Sequence, residues 1–161
     1  MIVASPSFFP MRFSRLLLIL PFLVTLAVRA DVVLAPLFTD HAVLQRDKAI
    51  PVWGKADAGE KISVAFHGQS RATVAAADGR WIVFLDPLPA ETQGADLTVA
   101  GKTTVTLHDL VVGEVWLCSG QSNMEFTVSR AANAEKEIAA ANFPLIRHVK
   151  IERAVGAAPA D

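Results

Sequence analysis

Lys61-Ile62-Ser63-Val64-Ala65-Phe66 decides the fold of the larger part of this chain. Polar or small residues alternate with Ile62, Val64 and Phe66, so one face is apolar and the other is not. A period of two is the mark of a half-buried β-strand. On either side the same grammar continues. Asp57-Ala58-Gly59-Glu60 is a turn before this strand, and His67-Gly68-Gln69 breaks it. Arg71 to Ala77 resumes the strand pattern, and Asp78-Gly79 is a hairpin signal. Trp81-Ile82-Val83-Phe84-Leu85 makes the next strand, ended by Pro87 and Pro89. Asp96 to Ala100 and Lys102 to Leu107 flank Gly101 as a further hairpin. Upstream, Val32 to Ala35 and Ile50 to Gly54 complete the set. Short strands separated by turns at intervals of roughly ten residues point to an antiparallel β-sandwich over residues 31–110.

The pattern changes near residue 111. Val111 to Cys118 is almost continuously apolar, as a strand covered on both faces would be. A polar turn follows, Ser119-Gly120-Gln121-Ser122-Asn123, and then good helix formers run from Met124 to Ala141. Asn142-Phe143-Pro144 stops them, because proline cannot continue a helix. Leu145 to Ile151 alternates again. Strand, turn, helix and strand over residues 111–151 predict the first βαβ unit of an α/β domain that occupies residues 111–161.

The first 30 residues stand apart. They contain Arg12, Arg15 and Arg29 and no acidic residue, whereas the rest holds 12 basic against 16 acidic residues. A basic stretch, Met11 to Arg15, precedes an apolar run from Leu16 to Val28, and Val28-Arg29-Ala30 offers small residues at a cleavage site. These are the parts of a secretory signal peptide, with cleavage expected after Ala30. A run of this length with an internal Pro21 falls short of the ~20 residues a spanning helix needs. The expected location is periplasmic or secreted, with membrane contact only through the signal segment. Residues 1–10 fit no part of the pattern, so translation is expected to start at Met11 rather than Met1.

The net charge of -1 is unlike a nucleic-acid footprint, which requires a clustered basic excess. A single cysteine, Cys118, rules out an internal disulfide framework and a cysteine-rich zinc site. No metal-ligand cluster or phosphate-binding glycine loop is legible, and no cofactor is expected.

Chemistry in an open α/β sheet sits beyond the carboxyl ends of its strands. Ser122 lies at the strand-to-helix turn with Gly120, Gln121 and Asn123 around it. On residue type and position alone, a turn or N-cap role is the stronger reading of Ser122, while Gln121 and Asn123 read equally as turn residues or as groups that orient the serine or a substrate hydroxyl. The G-x-S-x-G elbow is not matched, since position 124 is Met.

Trp116-Leu117-Cys118-Ser119-Gly120-Gln121-Ser122-Asn123-Met124-Glu125 resembles the nucleophile block of the sialate O-acetylesterase family, within the SGNH (GDSL-like) hydrolases. Leu37 to Arg46, Ile50 to Gly54, Ala58 to Glu60 and Asp78 to Trp81 resemble that family's preceding segments, in its order. Ala42 and Phe126 depart from the residues usual there. The resemblance implies an O-acetylated sugar or glycan as substrate. It also implies that Ser122 attacks the acetyl ester while its backbone N–H helps hold the oxyanion.

A serine hydroxyl needs a positioned base, normally a histidine oriented by a carboxylate. The family's later Gly and Asn blocks and its Asp-x-x-His block do not follow Ser122; His148 has Leu145, not Asp, three residues before it. The chain therefore reads as the N-terminal part of a longer esterase, inactive by itself. His41 reads as a packing or loop residue, His67 as exposed, and His108-Asp109 as neighbours pointing to opposite faces. Cys118 reads as buried, and Trp53, Trp81 and Trp116 as core anchors. The rival reading is a non-catalytic sandwich that binds glycan or packs on a partner domain.

Overall fold

The computed structural model describes residues 31–151. The expected signal peptide, residues 1–30, and the end of the expected second unit, residues 152–161, lie outside them. The described chain is mostly β-strand in two sheets, with little helix. Strands β1 (Val33–Leu34), β3 (Ile50–Lys55) and β6 (Arg80–Leu85) form one sheet in the order β1-β3-β6. Strands β2 (Val43–Gln45), β8 (Thr104–Gly113), β7 (Glu91–Ala100), β4 (Lys61–Phe66) and β5 (Gln69–Val74) form the other, in that order.

The period-two residues build the core. Ile62, Val64 and Phe66 of β4 point inward beside Leu97 and Val99 of β7 and Leu110 and Val112 of β8. Ile50 and Val52 of β3 and Trp81, Val83 and Leu85 of β6 meet them from the second sheet in one hydrophobic cluster. Each fully buried side chain of this size is worth about 1.5–3 kcal/mol of transfer free energy, so the shared cluster is what joins the two sheets.

Several expectations need correction. The sandwich is not wholly antiparallel: β2 runs parallel to β8, with Val43 opposite Val111 and Gln45 opposite Gly113. The long connection between them permits this, since parallel neighbours cannot be joined by a tight turn. Gly101 does turn an antiparallel hairpin between β7 and β8. Asp78-Gly79 does not, because β5 pairs with β4 and β6 with β3. The turn is present, with Gly79 at φ +80 and its N–H donated to Ala76 O at 2.9 Å, but it carries the chain from one sheet to the other.

The βαβ unit is not formed in the described residues. Val111 and Val112 are the buried end of β8, and strand structure stops at Gly113. Residues 114–118 and 145–151 are not strands. Neither stretch has a neighbouring strand among the described residues to take its backbone N–H and C=O groups, and apolar composition alone does not make a strand. The helix expected over Met124–Ala141 is reduced to two 3₁₀ turns, Ser122–Glu125 and Val128–Arg130, and to α1 (Ala134–Ala140). None of the three buries a residue, and a short helix without packing on one face is not stable in water.

Candidate active site

The route to Ser122 starts at the parallel pair. Beyond β8, Gln45 of β2 grips the departing chain: its Oε1 accepts the Val115 N–H at 3.0 Å, and its Nε2 donates to Glu114 Oε2 at 3.2 Å. The Arg46 N–H donates to Gly113 O at 2.9 Å. Arg46, Lys48, Glu114 and Trp116 share with Gln45 the lining of a polar cavity of about 320 Å³. A larger cavity, about 690 Å³, lies elsewhere on the sandwich against Val33, Trp53, Val74, Trp81 and Ile82. The buried Trp81 Nε1 has no partner among the described residues.

Gly120, Gln121, Ser122 and Asn123 are all exposed, together on one turn. Gln121 is extended, at φ -106 and ψ -151, and its carbonyl accepts the Met124 N–H at 2.9 Å. Asn123 O accepts the Phe126 N–H at 3.1 Å. Gly120 lies close to Met124, whose Cγ would be 2.9 Å from a side chain at 120. Ser122 is the first residue of the 3₁₀ turn rather than its cap.

Among the described residues no histidine is hydrogen-bonded to Ser122. His41 Nδ1 lies 2.6 Å from Asp109 Oδ2, and His108 Nδ1 lies 3.1 Å from Asp96 Oδ1. His67 is exposed, at φ 45, with its ring edge-on to Phe66 at 4.5 Å. His148 is exposed. Cys118, read as buried, is exposed, as is Trp116 at 82%, because residues 114–118 are not a strand and nothing among the described residues covers them. Trp81 is buried in the core; Trp53 is half-buried and meets Phe38 edge-on at 4.7 Å. Among the described residues no group of three or more His, Cys, Asp or Glu is placed to hold a metal ion.

The grouping of His41, Asp109 and Arg147 was not legible in the sequence. Arg147 Nη2 donates to Asp109 Oδ2 at 2.9 Å, and Nη1 donates to Asp109 O at 2.5 Å and His41 O at 3.1 Å. The His41 hydrogen bond holds the Asp109 carboxyl below its ordinary pKa. It outweighs a desolvation effect of opposite sign, and Arg147 adds to it by hydrogen bonding and charge.

No protein-family model matches the chain. The sialate O-acetylesterase of Rattus norvegicus is 34% identical to it over 110 residues, 62% of this chain and 20% of that protein. The sialate O-acetylesterase of Homo sapiens is 34% identical over 115 residues, 65% of this chain and 22% of that protein. The crystal structure of a carbohydrate acetylesterase from Xanthomonas citri matches with a TM-score of 0.67 at 38% identity, covering 71% of this chain and 26% of that one. This chain carries a partial sialate O-acetylesterase-like region. The sialate O-acetylesterase-like region spans about a fifth of the curated relatives' length and about a quarter of the solved acetylesterase. These relatives are carbohydrate esterases.

Proposed function

We propose that this chain is part of an exported carbohydrate O-acetylesterase in which Ser122 is the nucleophile. The observation that carries the proposal is the joint likeness, in sequence and in structure, to acetylesterases. The Gly120-Gln121-Ser122-Asn123 turn, exposed just after the sandwich, supplies the residue type the reaction needs. The sandwich unit runs to Gly113, the end of β8, rather than stopping at residue 110, and the residues after it correspond to the opening of an SGNH-type hydrolase domain. On this reading residues 114–151 gain their strand and helix structure when the longer enzyme covers them. The exposure of Leu117 at 95%, Ile146 at 71% and Val149 at 72% supports such a covering.

The chemistry is acyl transfer. Ser122 Oγ bonds to the acetyl carbon as its proton passes to a base, and the carbonyl oxygen becomes an oxyanion facing the Ser122 N–H. The sugar C–O–acyl bond then breaks on the acyl side, and the sugar oxygen takes the proton. Water attacks the acetyl-serine, releasing acetate and restoring the hydroxyl. The base and the remaining oxyanion donors belong to parts of the longer enzyme. The substrate is an acetylated sugar hydroxyl, on sialic acid or on another glycan.

A chimera tests this. Residues 31–151 replace the matching region of the Xanthomonas citri acetylesterase, and acetate release is measured on O-acetylated sialic acid and on acetylated xylan. The folded chimera should release acetate, and Ser122→Ala should remove about three or more orders of magnitude of rate, as in other serine triads. Full activity in a folded Ser122→Ala chimera would refute the nucleophile. It would leave the sandwich as a non-catalytic module.

A further inference from the structure

From residue 114 to residue 151 every side chain is exposed except Ala134 and Arg147. That is the reverse of ordinary burial. Arginine is among the residues least often buried, and here the apolar residues around it, Leu145, Ile146 and Val149, face solvent. The Arg147 side chain is only 19% exposed. It follows the turn in which the Ile146 N–H donates to Phe143 O, and it lies against the sandwich surface on the two residues that receive it.

The receiving site is shaped for a planar fork. Asp109 lies in a bulge of β8, where His108 and Asp109 together stand against Asp96: Leu97 pairs with Leu107 but Ala95 with Leu110. It stands at φ 57, a left-handed conformation that is unfavourable for most residues. His41 stands at φ 64. Both backbones thereby present a carbonyl to the same guanidinium nitrogen, Nη1. The other nitrogen, Nη2, donates to Asp109 Oδ2, the same oxygen that lies 2.6 Å from His41 Nδ1. A Cβ at Gly94 would fall on the Asp109 carboxylate, so the opposite strand is also cut back to admit it. An ammonium group is a point charge and cannot reproduce two divergent donor directions.

We propose that Arg147 is a positioning residue. The His41–Asp109 corner is a guanidinium socket on the sandwich, and Arg147 seated in it fixes where the segment carrying Ser122 lies. The structural half stands on the contacts above; the consequence for Ser122 rests on the acetylesterase reading.

The experiment uses the native 161-residue chain carrying Cys118→Ser and a nitroxide on a cysteine placed at Ala140. Paramagnetic broadening of sandwich amides reports where the segment sits. A defined set of amides should be broadened, and Arg147→Lys, Arg147→Met and Asp109→Asn should each abolish that selective broadening while the remaining sandwich shifts persist. Ser122→Ala should leave it unchanged. Retention of the same pattern in Asp109→Asn and Arg147→Met would overturn the socket. In the chimera, Arg147→Lys should lower kcat by about tenfold or more with KM little changed, a split that general destabilisation does not produce. Unchanged kcat alongside lost broadening would overturn the positioning role while leaving the socket. An active Ser122→Ala chimera would instead overturn the nucleophile alone.

Discussion

Glu60 is the charged residue buried in the described core, at 7% exposure. One carboxylate oxygen accepts the Asp57 N–H at 3.1 Å, and the other accepts the Lys102 N–H at 2.6 Å from 42 residues away. The Lys102 ammonium closes the same corner on the Asp57 carboxylate. Glu60 thus ties the turn before β4 to the β7–β8 hairpin. Glu60→Ala strips both N–H groups of an ionised acceptor. Hydrogen bonds to charged groups are worth about 1.5–3 kcal/mol each, so the ceiling is about 3–6 kcal/mol. Water entering the vacated corner returns part of this, which places the expected loss near 3 kcal/mol. Glu60→Gln keeps one acceptor but turns an NH₂ toward the other N–H, so about half that loss is expected. Urea unfolding followed by tryptophan fluorescence reads both, because Trp81 is buried in the same core. The midpoint should fall in the order wild type, Gln, Ala, with the slope unchanged. An alanine variant within about 0.5 kcal/mol of wild type would refute the reasoning, since that is less than one ordinary hydrogen bond.

The remaining predictions concern the socket and the N-terminus. The folded pKa of Asp109 lies below its ordinary 3.8, so its stabilising contribution is complete above that value and is lost as pH falls through the folded one. Carboxyl-carbon NMR titration should show His41→Ala raising the Asp109 pKa more than Arg147→Lys does, because the imidazole hydrogen bond is the largest cause; no rise in either variant would contradict the assignment. If the protein is exported, N-terminal sequencing of that material should begin at Asp31, and an intact Met1 or Met11 there would contradict the signal peptide.

The strands were legible where the alternation is sustained, whereas three-residue β2 (Val43–Gln45) and the first half of β7, Glu91 to Ala95, carried no such period and were not read as strands. Lys61–Phe66 was bounded correctly because Ile62, Val64 and Phe66 report the period directly. Turn chemistry was legible too, but not its destination: Asp78-Gly79 specifies a reversal and says nothing about which sheet Trp81 joins. Val111 to Cys118 misled because a uniformly apolar run has no period, so nothing in it marks Gly113 as the last paired residue. The Ser122 turn was visible as a motif, carried by residues adjacent in sequence. The socket was not, because Asp109 is 38 residues from Arg147 and 68 from His41, and the bulge that aims it arises only when β8 pairs with β7.

The parallel pairing of β2 with β8 has a consequence for the order of events as the chain folds. The β4–β5 and β7–β8 hairpins join residues close in sequence and close their loops at little entropic cost. Val43 must instead find Val111 across 68 residues, a contact that topology makes slow. On a ribosome, β2 emerges early and waits, its edge unpaired, until β8 has been synthesised. Gln45 cannot take the Val115 N–H before then, so the stretch leading to Ser122 has no fixed origin until the sheet is complete. A mutation that weakens these three residues of β2 would therefore delay the arrival of the Ser122 segment more than it would loosen the hairpins formed before it.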